Sequence, residues 1–150
     1  MPIHTLPDLA ATESLAARVA ACVRPGDAIL LEGPLGAGKS AFARAFLRAL
    51  TGDAGLEVPS PSYTLVQSYD TPRGPVHHFD LWRLDGPGAL LELGWDEAAV
   101  DIVVVEWPDR LGTLSPERAL RIALHPLQGE ARLVAVSGWA DRLAGLEMLE

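Results

Sequence analysis

Gly33 to Ser40 reads G-P-L-G-A-G-K-S, a full match to the pattern G-x-x-x-x-G-K-[ST]. Each residue type has a chemical reason to be there. Glycine tolerates backbone angles that other residues avoid, so the chain can wrap an anion with successive N–H groups pointing inward. A helix that starts at the end of the loop adds the positive end of its dipole. The Lys39 ammonium would reach the β- and γ-phosphates of a nucleotide, and the Ser40 hydroxyl would ligate Mg²⁺. Gly33, Pro34, Leu35, Gly36, Ala37, Gly38, Lys39, Ser40 and Ala41 are therefore the candidate phosphate-binding residues. The alternative is an ordinary glycine-rich turn. The flanks favour the cradle: apolar D-A-I-L-L-E stands before it and K-S-A-F-A-R-A-F-L-R-A-L opens an amphipathic helix after it.

Lys39 is also the single lysine among twelve basic residues; the other eleven are arginine. A compact ammonium on a flexible stem is not equivalent to a planar guanidinium. The lone lysine in the one place where a phosphate loop needs it points to a chemical requirement there. The guanine-reading pattern Asn-Lys-x-Asp cannot exist in a chain whose only lysine lies in the loop. ATP is therefore the expected nucleotide.

Two acids are candidates to work beside the loop. Glu106 closes the run D-I-V-V-V-E, and an acid at the carboxyl end of a buried strand stands where α/β sheets bind ligands. It would hold or orient the Mg²⁺ shell; the alternative is a solvated strand end. Asp80 lies in H-H-F-D-L-W-R-L, where alternation puts Phe79 and Leu81 on one face and His78 and Asp80 on the other. Asp80 would position or deprotonate an attacking water, or join the metal shell. A surface strand carrying an Asp–Arg pair is the competing reading. His77 and His78 read as polar surface or packed histidines, because no third His or Cys stands at ligand spacing.

In V-P-S-P-S-Y-T-L two prolines hold the backbone extended around Ser60. Ser62 and Thr64 would then share one face of the following strand. They would sense a γ-phosphate as a switch segment does; a Pro-rich turn explains the same residues. Tryptophans stand at 82, 95, 107 and 139 and read as packing residues, with Trp107, next to Glu106, closest to bound nucleotide.

The elements that must position these groups follow from periodicity. T-E-S-L-A-A-R-V-A-A-C-V places Leu15, Val19 and Cys22/Val23 on one helical face, with Thr12 as N-cap and Cys22 as a small core residue. Phe42, Phe46 and Leu50 recur at helical spacing after the loop, and Gly52 ends that helix. V-Q-S-Y-D and P-V-H-H-F-D-L flank the turn T-P-R-G and predict an antiparallel pair. G-P-G-A-L-L-E-L-G predicts a short helix. R-A-L-R-I-A-L-H-P-L and A-R-L-V-A-V-S-G-W predict two strands about Q-G-E-A, and the tail W-A-D-R-L-A-G-L-E-M-L-E a helix. Strands and helices interleave, which predicts an α/β fold with a mostly parallel sheet and some antiparallel strands.

Bulk properties limit the partners. A length of 150 residues suits a single domain over 1–150 with a real core. A net charge of -8 repels phosphate backbones, so strong direct binding of RNA or DNA is not expected. No apolar run is long enough to span a membrane. The start, M-P-I-H-T-L-P-D-L-A, lacks the regions of a signal peptide, and one cysteine permits no internal disulfide. The expected location is the cytoplasm.

Four segments taken together, L-L-E-G-P-L-G-A-G-K-S-A-F, V-P-S-P-S-Y-T-L-V, H-H-F-D-L-W-R-L and V-V-V-E-W-P-D-R-L, resemble the bacterial TsaE family, formerly YjeE. The likeness spans essentially the whole chain. It implies a small P-loop ATPase of three-layer α/β/α form, with ATP and Mg²⁺ as cofactors. It further implies work with TsaB and TsaD in making N6-threonylcarbamoyladenosine in tRNAs that read codons beginning with A. TsaD would carry the transfer chemistry, ATP hydrolysis would reset the complex, and tRNA would be reached only through the partners. By motif match Lys39 and Ser40 take the loop roles, Glu106 the magnesium role and Asp80 that of an essential strand-end aspartate. Ser62 and Thr64 fall in the switch-like segment. Four positions depart from the family's pattern: Ser40 and Ala41 where two threonines are usual, Ser62 where threonine is usual, and Trp82 where tyrosine is usual. Ser40 keeps the metal hydroxyl.

Two other functional classes remain open from the residues. A small-molecule kinase would need cationic side chains over the phosphates; Arg83 and Arg110 are available, but no compact Arg-rich lid segment is visible. A scaffold that holds nucleotide without turning it over is the other.

Overall fold

Two runs, A-I-L-L-E and I-V-V-V-E, are buried along almost their whole length and pair in parallel at the centre of one sheet. Continuous apolar runs are what a parallel strand covered on both faces requires. The computed structural model describes residues 3–59, 61, 64–116 and 118–139. In chain order the strands are β1 (Ile3–Leu6), β2 (Ala28–Glu32), β3 (Val66–Thr71), β4 (Gly74–Asp80), β5 (Ile102–Glu106), β6 (Leu120–Pro126) and β7 (Arg132–Ser137). The helices are α1 (Leu9–Cys22), α2 (Lys39–Thr51), α3 (Pro87–Glu92) and α4 (Trp95–Ala98), with a 3-10 segment at Pro108–Leu114.

The seven strands lie in the order β1-β7-β6-β2-β5-β4-β3. The inner four, β6, β2, β5 and β4, are mutually parallel. β3, β7 and β1 add antiparallel at the edges. The expected mostly parallel centre with antiparallel additions is thus present, with helices on both faces. Alternation along the strands divides the core. Ile29, Leu31 and Val104 face α1 and α2, where they meet Leu15, Val19, Phe42 and Phe46. Leu30, Val103 and Val105 face the other layer, with Leu90, Trp95 and Leu111. There Phe79 meets Trp95 edge to face at 5.1 Å between centroids. Phe46 is fully enclosed, so Phe46→Ala is expected to cost about 3–5 kcal/mol. Urea unfolding checks this as a lower midpoint at unchanged slope.

Two expectations need correction, and one competing reading falls. α1 begins at Leu9, not after Thr12: Asp8 is extended (φ -154, ψ 178) and its Oδ1 accepts from Ala11 N at 2.9 Å. Aspartate there caps the helix, and Thr12 is buried in its first turns. Thr64 stands in a turn ahead of β3, with Leu65 at φ 69 and Leu65 N donating to Pro61 O. The shared strand face read for Ser62 and Thr64 therefore does not apply to Thr64, and Ser62 lies outside the described residues. The competing reading of β4 as a surface strand falls, because His78, Phe79 and Asp80 at its end, and Leu81 just after it, are all buried. The expected hairpin of β3 and β4, the helix at 87–92, the β6–β7 pair and the Gly52 terminus of α2 are as read. The helix read at 139–150 lies outside the described residues beyond Trp139, which is buried at φ 47.

Candidate functional site

The loop from Gly33 to Gly38 joins β2 to α2, so the first helical N–H groups rise directly from the carboxyl edge of the sheet. Its shape depends on glycine at two points. Gly38 has φ 102 and caps α2 in the left-handed region. Gly33 has φ 143, and a Cβ there would run into the Leu124 carbonyl. Gly33→Ala is therefore expected to displace the loop from β6 and weaken nucleotide binding about tenfold or more, since strained backbone costs about 1–3 kcal/mol. Calorimetric titration checks it against the unfolding midpoint.

Lys39 is 5% exposed. Its Nζ donates to Gly33 O and to Pro34 O, and lies 3.4 Å from the centre of the Trp107 ring. Burial lowers the lysine's pKa, and the carboxylates of Glu106, Asp80 and Asp109 push against that. The ammonium is thus held between its own loop and an aromatic face, which costs it hydration but leaves it beside three acids. Trp107 reaches this place because its backbone is left-handed, at φ 61. Its ring also meets Trp82 at 4.5 Å between centroids.

Ser40 Oγ donates to Glu106 Oε1 at 2.9 Å. This is the contact that joins the loop to the end of β5. Glu106 Oε2 pairs with His78 Nε2 at 2.7 Å, and both residues are buried. Asp80 lies opposite Glu106 in the β4–β5 ladder, and its Oδ1 accepts from Trp82 N at 3.1 Å. From the opposite side Arg132 Nε donates to Ala37 O at 2.9 Å.

Two hollows meet at Trp107. One, of about 400 Å³, is lined by the loop from Leu35 to Ala41 with Asp80, Trp82, Glu106 and Arg132. The other, of about 600 Å³, lies beside Gly33 and Pro34 under the 3-10 segment, where Arg121 pairs with Glu32 at 2.8 Å. The smaller hollow holds the convergent polar groups. A flexible ammonium, helix N–H groups and two acids can bind a polyphosphate chain and a hard cation together. Hydroxyl and carboxylate oxygens suit Mg²⁺. Among the described residues no three His, Cys, Asp or Glu side chains form a metal cage of their own.

The fold thus brings together Lys39, Ser40, Asp80, Glu106 and Trp107, five positions read from the sequence. It leaves Thr64 exposed in its turn. His77 is a strand-surface residue paired with Asp101 and Ser68. Cys22 is half-buried against the core. Two contacts escape the sequence reading, which takes His78 only as a surface or packed histidine and does not single out Arg132. His78 carried a readable signal, since it lies two before Asp80 on one strand and so shares its face. Arg132 carried none, being 95 residues from its loop partner.

Comparison with known proteins bears on this arrangement. The family model described as "Threonylcarbamoyl adenosine biosynthesis protein TsaE" matches residues 6–134. The Rickettsia conorii "tRNA threonylcarbamoyladenosine biosynthesis protein TsaE" is 32% identical over 135 residues, covering 89% of this chain and 77% of that protein. The protein of the same description from Bacillus subtilis is 30% identical over 133 residues, covering 87% and 82%. One from Synechocystis is 37% identical over 118 residues, covering 73% and 71%. The crystal structure of Bacillus subtilis YdiB superposes with a TM-score of 0.75 at 27% identity, covering 99% of this chain and 93% of that one. With a phosphate loop closed on a strand-end glutamate, a sheet that matches YdiB, and a family model spanning nearly all of its length, the chain belongs to the TsaE family.

Proposed function

We propose that this protein is a Mg²⁺-dependent ATPase that serves N6-threonylcarbamoyladenosine formation in tRNA, acting with TsaB and TsaD. One observation carries the catalytic part: Ser40 Oγ and Glu106 Oε1 stand 2.9 Å apart at the head of the glycine loop. A hydroxyl on a carboxylate at that point is the pair that P-loop ATPases use to hold Mg²⁺. The names of the related proteins support the tRNA part.

In this reading the loop N–H groups and Lys39 bind the phosphates. Lys39 leaves its carbonyl partners and Trp107 for the β- and γ-oxygens. Bound Mg²⁺ would neutralise charge on the same oxygens. Ser40 and Glu106 would hold the cation. Asp80, beside Glu106, orients the attacking water or completes the metal shell. Trp107 borders both hollows and stands against the nucleotide.

Hydrolysis by the isolated chain is expected to be slow, because few cationic groups surround the γ-phosphate position and a docked partner can complete the site. The charge of -8 suits contact with proteins and leaves tRNA to them. Among the described residues no helix is long and apolar enough to cross a membrane, and a place in the cytoplasm is part of the proposal. The test is co-purification with TsaB and TsaD under ATP, ADP or no nucleotide, with phosphate release measured alongside. Partner binding indifferent to nucleotide, or no phosphate release with partners present, would count against the reading.

A further inference from the structure

We infer that His78 is a positioning residue for Glu106. It fixes one carboxylate oxygen so that the other stays on Ser40 and toward the cation of a Mg-nucleotide. The inference rests on the nucleotide reading above and adds a residue to it.

The geometry is specific. His78 pairs with Val104 across the β4–β5 ladder, so Glu106 is its diagonal neighbour two residues on. Diagonal neighbours touch only through long side chains, and here imidazole and carboxylate meet at 2.7 Å. The other carboxylate oxygen is taken by Ser40. Glu106 is therefore bound at both oxygens and cannot turn freely about its last torsion.

Packing alone does not account for an imidazole at this position. His78 is 1% exposed; on its strand face Val76 and Val104 are apolar, while Asp80 and Gln67 are polar. A carboxylate accepts, so Nε2 is the donor of this pair. Among the described residues Nδ1 has no hydrogen-bond partner. A leucine there would avoid the cost of a buried, unpaired nitrogen. What the imidazole gains over leucine is the bond to Glu106. Losing a group that hydrogen-bonds a metal-binding carboxylate in this way costs about ten- to a hundredfold in metal affinity or activity.

The experiment is calorimetric titration of the full chain with ADP, first in EDTA and then across a Mg²⁺ series. In His78→Leu, metal-free ADP binding is expected to stay near wild type while the Mg²⁺ needed for half of the affinity gain rises about ten- to a hundredfold. His78→Gln carries an amide N–H at about the reach of Nε2 and is expected to recover most of the response. His78→Asn is too short and should behave like the leucine variant, which keeps the test decisive if His78→Leu does not fold. Circular dichroism melts establish folding. A wild-type Mg²⁺ requirement in both Leu and Asn variants would overturn the role. So would a metal-free loss as large as the Mg²⁺-linked loss, which marks simple packing. Wild type that binds ADP with no Mg²⁺ effect would overturn the metal reading itself, and the role of His78 with it.

Discussion

Lys39→Ala is expected to abolish nucleotide-dependent function. The ammonium is the one lysine in the chain and the one cation read onto the γ-phosphate, so alanine leaves that charge to the loop N–H groups alone. A charge-assisted hydrogen bond contributes about 1.5–3 kcal/mol, which corresponds to about ten- to a hundredfold in ATP affinity. Loss of a donor aimed at charge that develops in transfer adds about a hundred- to a thousandfold in kcat. Folding should survive. In the structure the ammonium is buried and its pKa is lowered by that burial, so alanine removes a group the fold holds at a desolvation cost. Phosphate release, ATP titration and a thermal melt together check this. Undiminished hydrolysis in a folded variant would sink the assignment. Lys39→Arg should not rescue, because a planar guanidinium cannot follow the curled path of Lys39 over Gly33 and Trp107.

Glu106→Gln has the second large effect, and of a different kind. Glutamine keeps the shape and one carbonyl oxygen for Ser40, but it removes the charge that would hold the cation. Turnover is expected to fall about a hundredfold or more, since metal-stabilised charge in the transition state is worth several kcal/mol. ATP affinity should fall much less, because the loop and Lys39 are untouched. Glu106→Ala is the harsher variant: it strands Ser40 Oγ and the buried His78 Nε2 together, and an unsatisfied buried group costs about 1–3 kcal/mol. Asp80→Ala should resemble Glu106→Gln, with affinity better preserved than turnover. Equal loss of affinity and turnover at either acid, with folding intact, would mark it as structural.

The loop was legible because its chemistry is local: eight consecutive residues contain the turn, the cation and the hydroxyl. Glu106 was legible because I-V-V-V-E ends on it, and a buried parallel strand puts its last residue at the ligand edge. Asp80 was only half legible. Its strand reads as amphipathic, and both faces are buried because Val76 packs into the layer of α1 and α2 while Phe79 packs into the layer of Leu90, Trp95 and Leu111. Thr12 was misread as a cap because the helix periodicity resumes there, while Asp8 captures Ala11 N one turn earlier. β1 was not read at all: I-H-T-L is too short to announce a strand, and it is one because β7 pairs with it.

By itself the sequence determined the α/β class, the phosphate loop, the unique lysine and the two acids, since each follows from residue type and near-neighbour spacing. The tertiary structure decided what those groups touch. It set Ser40 on Glu106 across 66 positions and His78 beneath it across 28. It also brought Arg132 onto the loop and the face of Trp107 onto Lys39. Such contacts depend on which strands become neighbours and in what register. Strand order is fixed by burial of the whole sheet between two helical layers, a global condition that no short stretch of residues encodes.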